Sequence, residues 1–359
     1  MKKINIFLGG FINLTNAQNL NCLSLAKYLN KDKFNIYSLE LYSGNLDSQK
    51  KAKIKGLKIF SCFYPAKISM YLGFLWGIYK CDIAYLPKRE LWRWNHFLLN
   101  ILNKKSFSTI EGIFDEENLK SAMIFDSYHK FLKSKKIFNE LYAITNFLAI
   151  FNKKNHNINF NPKTLYLGCE INKFKNTIVK NKGLNKVIFI GRLEKRKGIY
   201  DFLEITSHFT DIEFIIFGNG PEKKAIEELI KKQKRTNIAL MGLVNHYQLA
   251  KILEKIDLHI LPSRSEGFPK VTLETAAAGV PSLVYSDYGA NEWITHNKDG
   301  WIVKTIEEMI QIIKELKSKP KLLELNSNNA RNMAEKFNWH RIIKEWEKEI
   351  TNLYHEQKK

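Results

Sequence analysis

The stretch LPSRSEGFPKVTLETAAAGVPSLV, residues 261–284, is the most informative part of this 359-residue sequence. It holds two glutamates, Glu266 and Glu274, separated by the seven residues GFPKVTL. A helix that begins near Pro269 would leave Glu266 in the preceding loop and place Glu274 one to two turns inside the helix. The alternative for both is a solvent-exposed acid. The apolar residues on either side favour burial.

This loop-to-helix arrangement offers groups that bind sugars and phosphates. A carboxylate in the loop accepts hydrogen bonds from sugar hydroxyls, and one inside the helix accepts paired bonds from ribose hydroxyls. The segment Gly267, Phe268, Pro269 and Lys270 lies at the amino end of the helix, where peptide N–H groups face an anion. Of these, the N–H groups of Phe268 and Lys270 are the expected phosphate donors, since Pro269 has none.

Two cations follow an earlier apolar run. KVIFIG (186–191) continues into Arg192, and Lys197 stands five residues later, before Gly198. Arginine presents a planar fork to phosphate and lysine a point charge, so the end of a buried strand is expected to hold a diphosphate here. A solvated basic turn is the alternative. FGNGPE (217–222) adds Gly218 and Gly220, which permit a tight turn before a helix.

Alternation of strands and helices runs through the whole chain and predicts parallel sheets with crossover helices. The first half has apolar runs in which INIFLGG (4–10) predicts a strand that ends in a glycine turn. The other strands expected in this half are 35–41, 82–87, 107–112, 141–145 and 164–168. The second half predicts strands at 186–191, 212–218, 237–242, 257–262, 281–285 and 300–304. We therefore expect an α/β protein with two Rossmann-like domains and a ligand cleft at the carboxyl ends of the strands.

These motifs resemble those of retaining glycosyltransferases of family 4, which have the GT-B fold. The resemblance is carried over about 164–305 by the E-x7-E segment, GRLEKRKG (191–198), FGNGPE and LGCEINKF (167–174). FNWHRIIKEWEKEI (337–350) is similar to the terminal Phe-x-Trp helix of that family. The GT-B fold implies two Rossmann-like domains whose parallel sheets face a central cleft.

The resemblance implies a domain plan. An acceptor-binding domain is expected over 1–171, a linker over 172–186 and a nucleotide-sugar domain over 187–336. The last segment, 337–359, is expected to form a helix that crosses back to the first domain.

The resemblance also implies roles. Arg192 and Lys197 would neutralise the leaving nucleoside diphosphate, Glu266 would hold the donor sugar and Glu274 the ribose. Gly9 and Gly10 match the glycine pair that approaches the donor phosphates. Where many members have a His-Gly pair, this chain has Glu111-Gly112, so a contact of Glu111 with acceptor or sugar is expected. No metal and no other cofactor is expected, because the two cations do the work of a metal ion.

The charge is strongly basic and uneven. Formal net charge is +21: residues 1–180 carry 28 Lys/Arg against 12 Asp/Glu, and residues 181–359 carry 29 against 24. The chain is rich in Lys, Asn and Ile, so a genome of biased base composition is one explanation of the charge, and an anionic partner is the other. Eleven aromatic residues lie between Phe60 and Phe97, interleaved with cations. This mixture predicts contact with an anionic membrane surface, and its alternative is a buried helix pair. No nucleic-acid motif is present, and nucleic acid is not expected as a partner.

Location follows from three observations. No apolar run reaches the ~20 residues that a membrane-spanning helix needs. The start, MKKINIFLGG, predicts a first strand rather than a signal peptide. Four cysteines without a CxxC pair are typical of a reducing compartment. We expect a cytoplasmic protein, peripheral on the inner face of the membrane.

The resulting hypothesis is a hexosyltransferase that moves a hexose or acetamido-hexose from a nucleotide sugar, UDP-linked, to a bacterial surface glycan such as lipopolysaccharide or capsule, or to a lipid-linked saccharide. A nucleotide-sugar epimerase of GT-B fold is one alternative. A non-catalytic protein that binds nucleotide sugars is another, and a nucleic-acid-binding protein would account for the charge alone.

Overall fold

The structure is a computed structural model that describes residues 2–14, 16–42, 54–87, 92–113, 138–175 and 183–357; for Trp92 and Arg93 it describes the backbone alone. The chain divides into two compact units. Unit 1 comprises Met1–Gly168 with Trp339–Lys359, and unit 2 comprises Cys169–Asn338. The chain therefore passes between units at 168/169 and 338/339, whereas the linker was expected at 172–186. Of that segment, residues 172–175 belong to unit 2 and 176–182 lie outside the described residues.

Unit 1 is built on a parallel sheet in the order β3-β2-β1-β4-β5-β6. Its strands are β1 Ile4–Phe11, β2 Phe34–Leu41, β3 Leu57–Cys62, β4 Ile83–Tyr85, β5 Lys105–Ile110 and β6 Glu140–Ala143. Its described helices are α1 Ala17–Tyr28, α2 Ala66–Lys80, α3 Trp92–Ile101, α4 Asn146–His156 and α11 Trp339–Gln357. The central strand β1 is buried on both faces, as Ile6, Phe7 and Leu8 show.

Unit 2 repeats the same strand order, β12-β11-β10-β7-β8-β9. Its strands are β7 Lys186–Ile190, β8 Glu213–Phe217, β9 Ile238–Gly242, β10 Leu258–Leu261, β11 Ser282–Tyr285 and β12 Gly300–Val303. Its described helices are α5 Ile199–Thr206, α6 Lys223–Lys232, α7 His246–Leu253, α8 Lys270–Ala277, α9 Ile306–Ser318 and α10 Pro320–Lys336. In each unit the strand order reverses beside the first strand, at β1/β4 and at β7/β10. Open α/β sheets bind ligands at the carboxyl ends of such neighbouring strands.

The glycine pair in β1 differs from the expectation. Gly9 and Gly10 do not end the strand in a turn. They form a bulge inside it, since the pairing with β2 slips between Leu8 and Phe11. A Cβ on Gly9 would lie 2.6 Å from Leu86 Cδ2, and one on Gly10 would lie 2.7 Å from Cys22 Sγ. A side chain at either position would therefore displace Leu86 or Cys22 from its packed position.

One strand of unit 1 was not predicted, and one predicted strand is wrong. Edge strand β3 was missed, because Lys58 interrupts its apolar run and because, among the described residues, the strand pairs with β2 alone. The segment 164–168 is not a strand; a single bridge joins Thr164 to Ala143. The carbonyl of Tyr166 instead accepts a hydrogen bond of 2.9 Å from Trp346 Nε1 in α11.

The terminal helix α11 supplies much of the core of unit 1. Trp339, Ile343, Trp346 and Ile350 are buried at the helical spacing seen in the sequence. The Trp339 ring fills the space beside Gly168, where a Cβ would lie 2.5 Å from its Cδ2. The large aromatic area that this helix buries ties the end of the chain to unit 1.

None of the helices in the described residues has the length and hydropathy to cross a membrane. The four cysteines are free thiols, and all are buried.

Candidate functional site

The carboxyl ends of β7 and β8 are joined by backbone contacts that only glycine allows. The N–H of Gly191 donates to Phe217 O at 3.0 Å, and the N–H of Leu193 donates to Asn219 O at 3.0 Å. A Cβ on Gly218 would lie 1.8 Å from Gly191 O, and one on Gly220 would lie 2.3 Å from Leu193 O. The FGNGPE motif thus fixes the loop that carries Arg192.

A second glycine contact joins the loops after β7 and β10. Lys195–Lys197 form a 3-10 turn that ends at Gly198, whose φ is +71°. A Cβ on Gly198 would lie 1.8 Å from the carbonyl oxygen of Pro262. A left-handed backbone and this close approach both require glycine. The loop with the cations is therefore held against the loop with Glu266.

The two loops meet in an ion pair at the switch point of the unit 2 sheet. Lys197 Nζ lies 2.5 Å from Glu266 Oε1. Both side chains are largely buried, with 19% of Lys197 and 8% of Glu266 exposed. Because the pair is shielded from water, its two charges interact more strongly than a surface pair would. The alternative that Glu266 is an exposed loop acid is excluded.

Two residues that the sequence motifs did not single out hold this pair in place. Arg196 Nη1 donates to Ser265 O at 2.8 Å, and Arg196 Nη2 bonds Glu194 Oε1 at 2.7 Å. These contacts fix the residue before Glu266 to the turn before Lys197. Both new residues lie inside GRLEKRKG, but their charges alone do not say which way each side chain points.

Arg192 has a different environment from Lys197. Its side chain is 68% exposed, and its Nε lies 3.3 Å from Glu194 Oε2. The contact with Glu194 thus restrains the orientation of the guanidinium at the end of β7, while most of the group remains exposed to solvent. The site therefore offers one fixed cation, Lys197, and one exposed cation with a planar fork.

The segment 267–270 leads into α8 as expected. The helix begins at Lys270, after Pro269 at its cap position. Phe268 is buried, with its ring centroid 4.9 Å from that of Trp293 and 5.4 Å from that of Phe337. Its side chain therefore anchors the loop in the core, which leaves only its backbone for the predicted donor contact.

Glu274 lies inside α8 with 12% of its side chain exposed. This burial excludes the alternative of a solvated helix residue, and it raises the pKa of the carboxyl above its ordinary value. Positive charge on His246, Lys270 and Lys173 opposes the rise. His246 Nε2 is 3.7 Å from Glu274 Oε1. His246 was not predicted as a neighbour, because 27 residues of sequence separate it from Glu274.

A buried tyrosine lies close to the Lys197–Glu266 pair. Burial raises the pKa of Tyr288 well above its usual value, and the charges of Glu266 and Asp287 add to this rise. Its hydroxyl has no hydrogen-bond partner among the described residues. The ring stacks on Trp293, with centroids 6.0 Å apart.

Glu111 is the charged residue that the sequence predicted in unit 1. Glu111 follows β5 and accepts hydrogen bonds from Asn21 Nδ2 at 3.0 Å and Thr109 Oγ1 at 3.3 Å. The Thr109 hydroxyl also bonds the Tyr85 hydroxyl at 2.7 Å. Such donors suit an ionised carboxylate, which accepts only. In the part of the chain that the structure describes, no three His, Cys, Asp or Glu side chains come together as a metal-binding group.

Comparison with known proteins places this site within a recognised family segment. Residues 170–333 match the model of the family described as glycosyl transferases group 1. A 2-deoxystreptamine N-acetyl-D-glucosaminyltransferase of Niallia circulans is 32% identical over 121 residues, 32% of this chain and 31% of the relative. An alpha-monoglucosyldiacylglycerol synthase of Acholeplasma laidlawii is 25% identical over 180 residues, 48% of this chain and 45% of the relative. The chain thus spans about a third to a half of the length of these curated relatives.

Solved structures match over nearly the whole chain. HepE from Anabaena in complex with UDP has a TM-score of 0.76 at 15% identity, with 97% of this chain and 100% of that chain covered. Sucrose-phosphate synthase from Thermosynechococcus elongatus has a TM-score of 0.78 at 14% identity, with 98% and 100% covered. The predicted α/β class, with two Rossmann-like parallel sheets as in GT-B glycosyltransferases, is confirmed.

Proposed function

We propose that this protein is a retaining glycosyltransferase that moves a hexose or acetamido-hexose from a UDP-sugar to a bacterial surface glycan or a lipid-linked saccharide. The observation that carries the proposal is the Lys197–Glu266 pair at the β7/β10 switch point, with Arg192 beside it. It lies in the segment that matches group 1 glycosyltransferases. Cations for a diphosphate and a carboxylate for sugar hydroxyls stand at one ligand-binding edge.

The cations act on the leaving group. When the glycosidic bond breaks, negative charge grows on the nucleoside diphosphate. A fixed positive charge stabilises that state more than the ground state, and so lowers the barrier. Lys197 is already held in place by its glycine-fixed loop, so little reorganisation is needed. Arg192 adds a planar fork that matches phosphate oxygens. These two residues supply the charge that a metal ion supplies elsewhere.

The glutamates act on the two ends of the donor. Glu266 accepts hydrogen bonds from hydroxyls of the sugar, which becomes cationic in the transition state, and its carboxylate is favourably placed for that charge. Glu274, in α8, accepts bonds from the ribose. The amino end of α8 adds the positive end of a helix dipole near the phosphates. Gly9 and Gly10 approach the donor through their backbone, and Glu111 contacts the sugar or the acceptor.

Donor and acceptor classes are supported by two observations. The structural relative HepE binds UDP. Residues 1–180 have an excess of 16 positive charges, which suits an anionic, membrane-held acceptor. A relative named for a glucosyldiacylglycerol synthase fits a lipid-linked acceptor as well. The protein would then act in the cytoplasm at the inner face of the membrane, in lipopolysaccharide or capsule assembly.

Ligand-induced thermal stabilisation tests the donor site directly. UDP, GDP and their sugars are compared, and a nucleotide at a hundredfold its Kd should stabilise the protein by about 2.7 kcal/mol. Lys197→Ala should lose most of this stabilisation, and Lys321→Ala, an exposed lysine of unit 2 outside the site, should keep it. A protein that no nucleotide stabilises would contradict the proposal. Stabilisation without sugar transfer or hydrolysis would support the non-catalytic alternative.

A further inference from the structure

Helix α2 of unit 1 is apolar on both of its faces. One face packs on the sheet through Gly73, Phe74, Gly77 and Ile78, which are buried. The opposite face exposes five large apolar or aromatic side chains at helical spacing, namely Ile68, Tyr71, Leu72, Leu75 and Tyr79. A helix at a protein surface normally turns a polar face to water. This one does not.

The neighbouring helix also exposes apolar side chains. Helix α3 packs against α2 and exposes Trp94, Phe97 and Ile101, three and four residues apart. The rings of Trp94 and Phe97 lie beside each other, with centroids 6.1 Å apart. These three side chains and the five of α2 are called the α2–α3 face. Single exposed apolar residues are common, but such a group on adjacent helices marks an interaction surface.

Charge on this part of unit 1 is positive. In the parts of 63–105 whose side chains the structure describes, four lysines (Lys67, Lys80, Lys104 and Lys105) stand against one acid, Asp82, and neither α2 nor α3 contains an acidic residue. Lys67 and Lys80 are exposed in the first and last turns of α2. At its carboxyl end, Lys80 Nζ lies 5.5 Å from the centroid of the Tyr79 ring. Lys104 Nζ lies 5.8 Å from the same centroid and donates to the carbonyls of Ile78 and Tyr79 in the last turn of α2. Cationic heads thus flank an apolar and aromatic surface.

We propose that the α2–α3 face inserts into the headgroup layer of an anionic lipid bilayer. Aliphatic side chains would enter the acyl boundary, aromatic rings would lie at headgroup depth, and the lysines would meet lipid phosphates. A protein partner would have to offer a matching apolar surface ringed by acids. A bilayer with anionic lipids offers both properties at once. The face would bring unit 1 to the surface where a lipid-linked acceptor resides, but its binding does not depend on the donor site.

The structure also revises which aromatic residues take part. Trp76 was grouped with the membrane-facing aromatics, but its ring packs on Tyr37 at 5.5 Å and on Phe60 at 5.7 Å. It belongs to the core of unit 1 rather than to the α2–α3 face. The side chain of Trp92 lies outside the described residues.

Vesicle sedimentation of the full-length protein tests the inference without any donor. Vesicles of phosphatidylcholine alone are compared with equal mixtures of phosphatidylcholine and phosphatidylglycerol. Leu72→Ser with Leu75→Ser, and separately Trp94→Ser with Phe97→Ser, should each weaken partition to the anionic vesicles about tenfold or more. Lys67→Gln should weaken it by about fivefold and reduce its salt dependence. Ile150→Ser and Leu325→Ser, which replace exposed apolar residues elsewhere, are the matched controls and should change nothing.

The outcomes separate the possible occupants. Since the replaced side chains are exposed, all variants should keep the wild-type circular dichroism and melting temperature. Equal binding to neutral and anionic vesicles, or binding that survives both double substitutions, would overturn the proposal. So would a concentration-dependent dimer in the absence of lipid that the same substitutions abolish. A wild-type protein that does not bind anionic vesicles but is stabilised by nucleotide would overturn the membrane proposal and would leave the proposed function intact.

Discussion

Lys197 and Glu266 are 69 residues apart in sequence, yet the ammonium nitrogen of the first lies 2.5 Å from Oε1 of the second. The lysine follows β7 and the glutamate follows β10, which are adjacent parallel strands. The pair exists because Gly198 lets one loop approach the carbonyl of Pro262 and because Arg196 ties the other loop through Ser265. Each partner therefore depends on the other for its orientation, and we propose that the donor meets both.

Replacement of the cations should lower the rate of the chemical step. Arg192→Ala and Lys197→Ala should each reduce kcat on the order of 10²–10³-fold, because each removes one stabiliser of charge that develops in the transition state. Steady-state kinetics with purified, folded variants measures this. Lys321→Ala should retain wild-type kcat. An increase in donor KM with unchanged kcat would show that the cations bind ground and transition states equally.

The coupling between Lys197 and Glu266 gives this prediction a second readout. Glu266→Gln should lower kcat and also weaken the discrimination between donor sugars, because Glu266 is expected to contact the sugar itself. The effects of Lys197→Ala and Glu266→Gln should not add in the double variant, since the two groups contact each other. Additive losses would contradict a shared role.

Much of the fold could be predicted because its physical signals are local. The consecutive apolar residues Val187, Ile188 and Phe189 mark a strand buried on both faces, and the structure places β7 at the centre of its sheet. Edge strand β3 escaped detection because one free edge and the exposed Lys58 weaken its pattern. The segment 164–168 has the apolar residues of a strand, but its backbone bonds a tryptophan of α11 nearly 180 residues away. No local pattern encodes such a choice.

Some residues of the candidate site could likewise be predicted from the sequence, and others could not. Lys197 could be selected because it lies in the loop after a strong strand signal, and Glu266 because of its spacing from Glu274 and the resemblance to a known family. The two come together because adjacent parallel strands end at the same edge. The positioning role of Arg196 depends on the direction of one side chain, and His246 reaches Glu274 from another helix. The aromatic residues between Phe60 and Phe97 could be recognised as unusual from composition alone. Which of them face outward required the structure, as Trp76 shows.

Buried His259 should make the protein less stable in acid. Its ring is fully buried in β10, Nδ1 lies 2.9 Å from Ser282 Oγ, and burial lowers its pKa to about 3. Below the unfolded pKa of about 6.5, the unfolded state takes up a proton that the folded state refuses, so stability falls as pH falls from about 6.5 towards 3. At pH 5 the protonation of His259 in the unfolded state should lower the free energy of unfolding by about 2 kcal/mol.

Urea unfolding at pH 7 and pH 5 measures this contribution. His259→Gln removes the titrating group. Between pH 7 and pH 5 the free energy of unfolding of this variant should therefore fall by about 2 kcal/mol less than that of the wild type. Comparison of the two slopes cancels the carboxylates that both proteins share and any loss of packing that is independent of pH. Parallel slopes would show that His259 is not the buried neutral group that the structure places in β10.

Donor binding should depend on pH through the carboxyl of Glu274. Its burial raises the pKa of the carboxyl above its ordinary 4.5, and the charge on His246 opposes that rise. An ionised carboxylate accepts two ribose hydroxyls, and a protonated one accepts less well. Donor KM should therefore increase as pH falls through the raised pKa, at a higher pH than an ordinary carboxyl would give, while kcat changes little.

His246→Ala removes the opposing charge and should move the midpoint of this KM transition to still higher pH. Glu274→Gln should raise KM at neutral pH and abolish this transition. A transition that persists in Glu274→Gln would assign it to another group, and a loss of kcat rather than KM would place Glu274 at the reacting centre instead of the ribose.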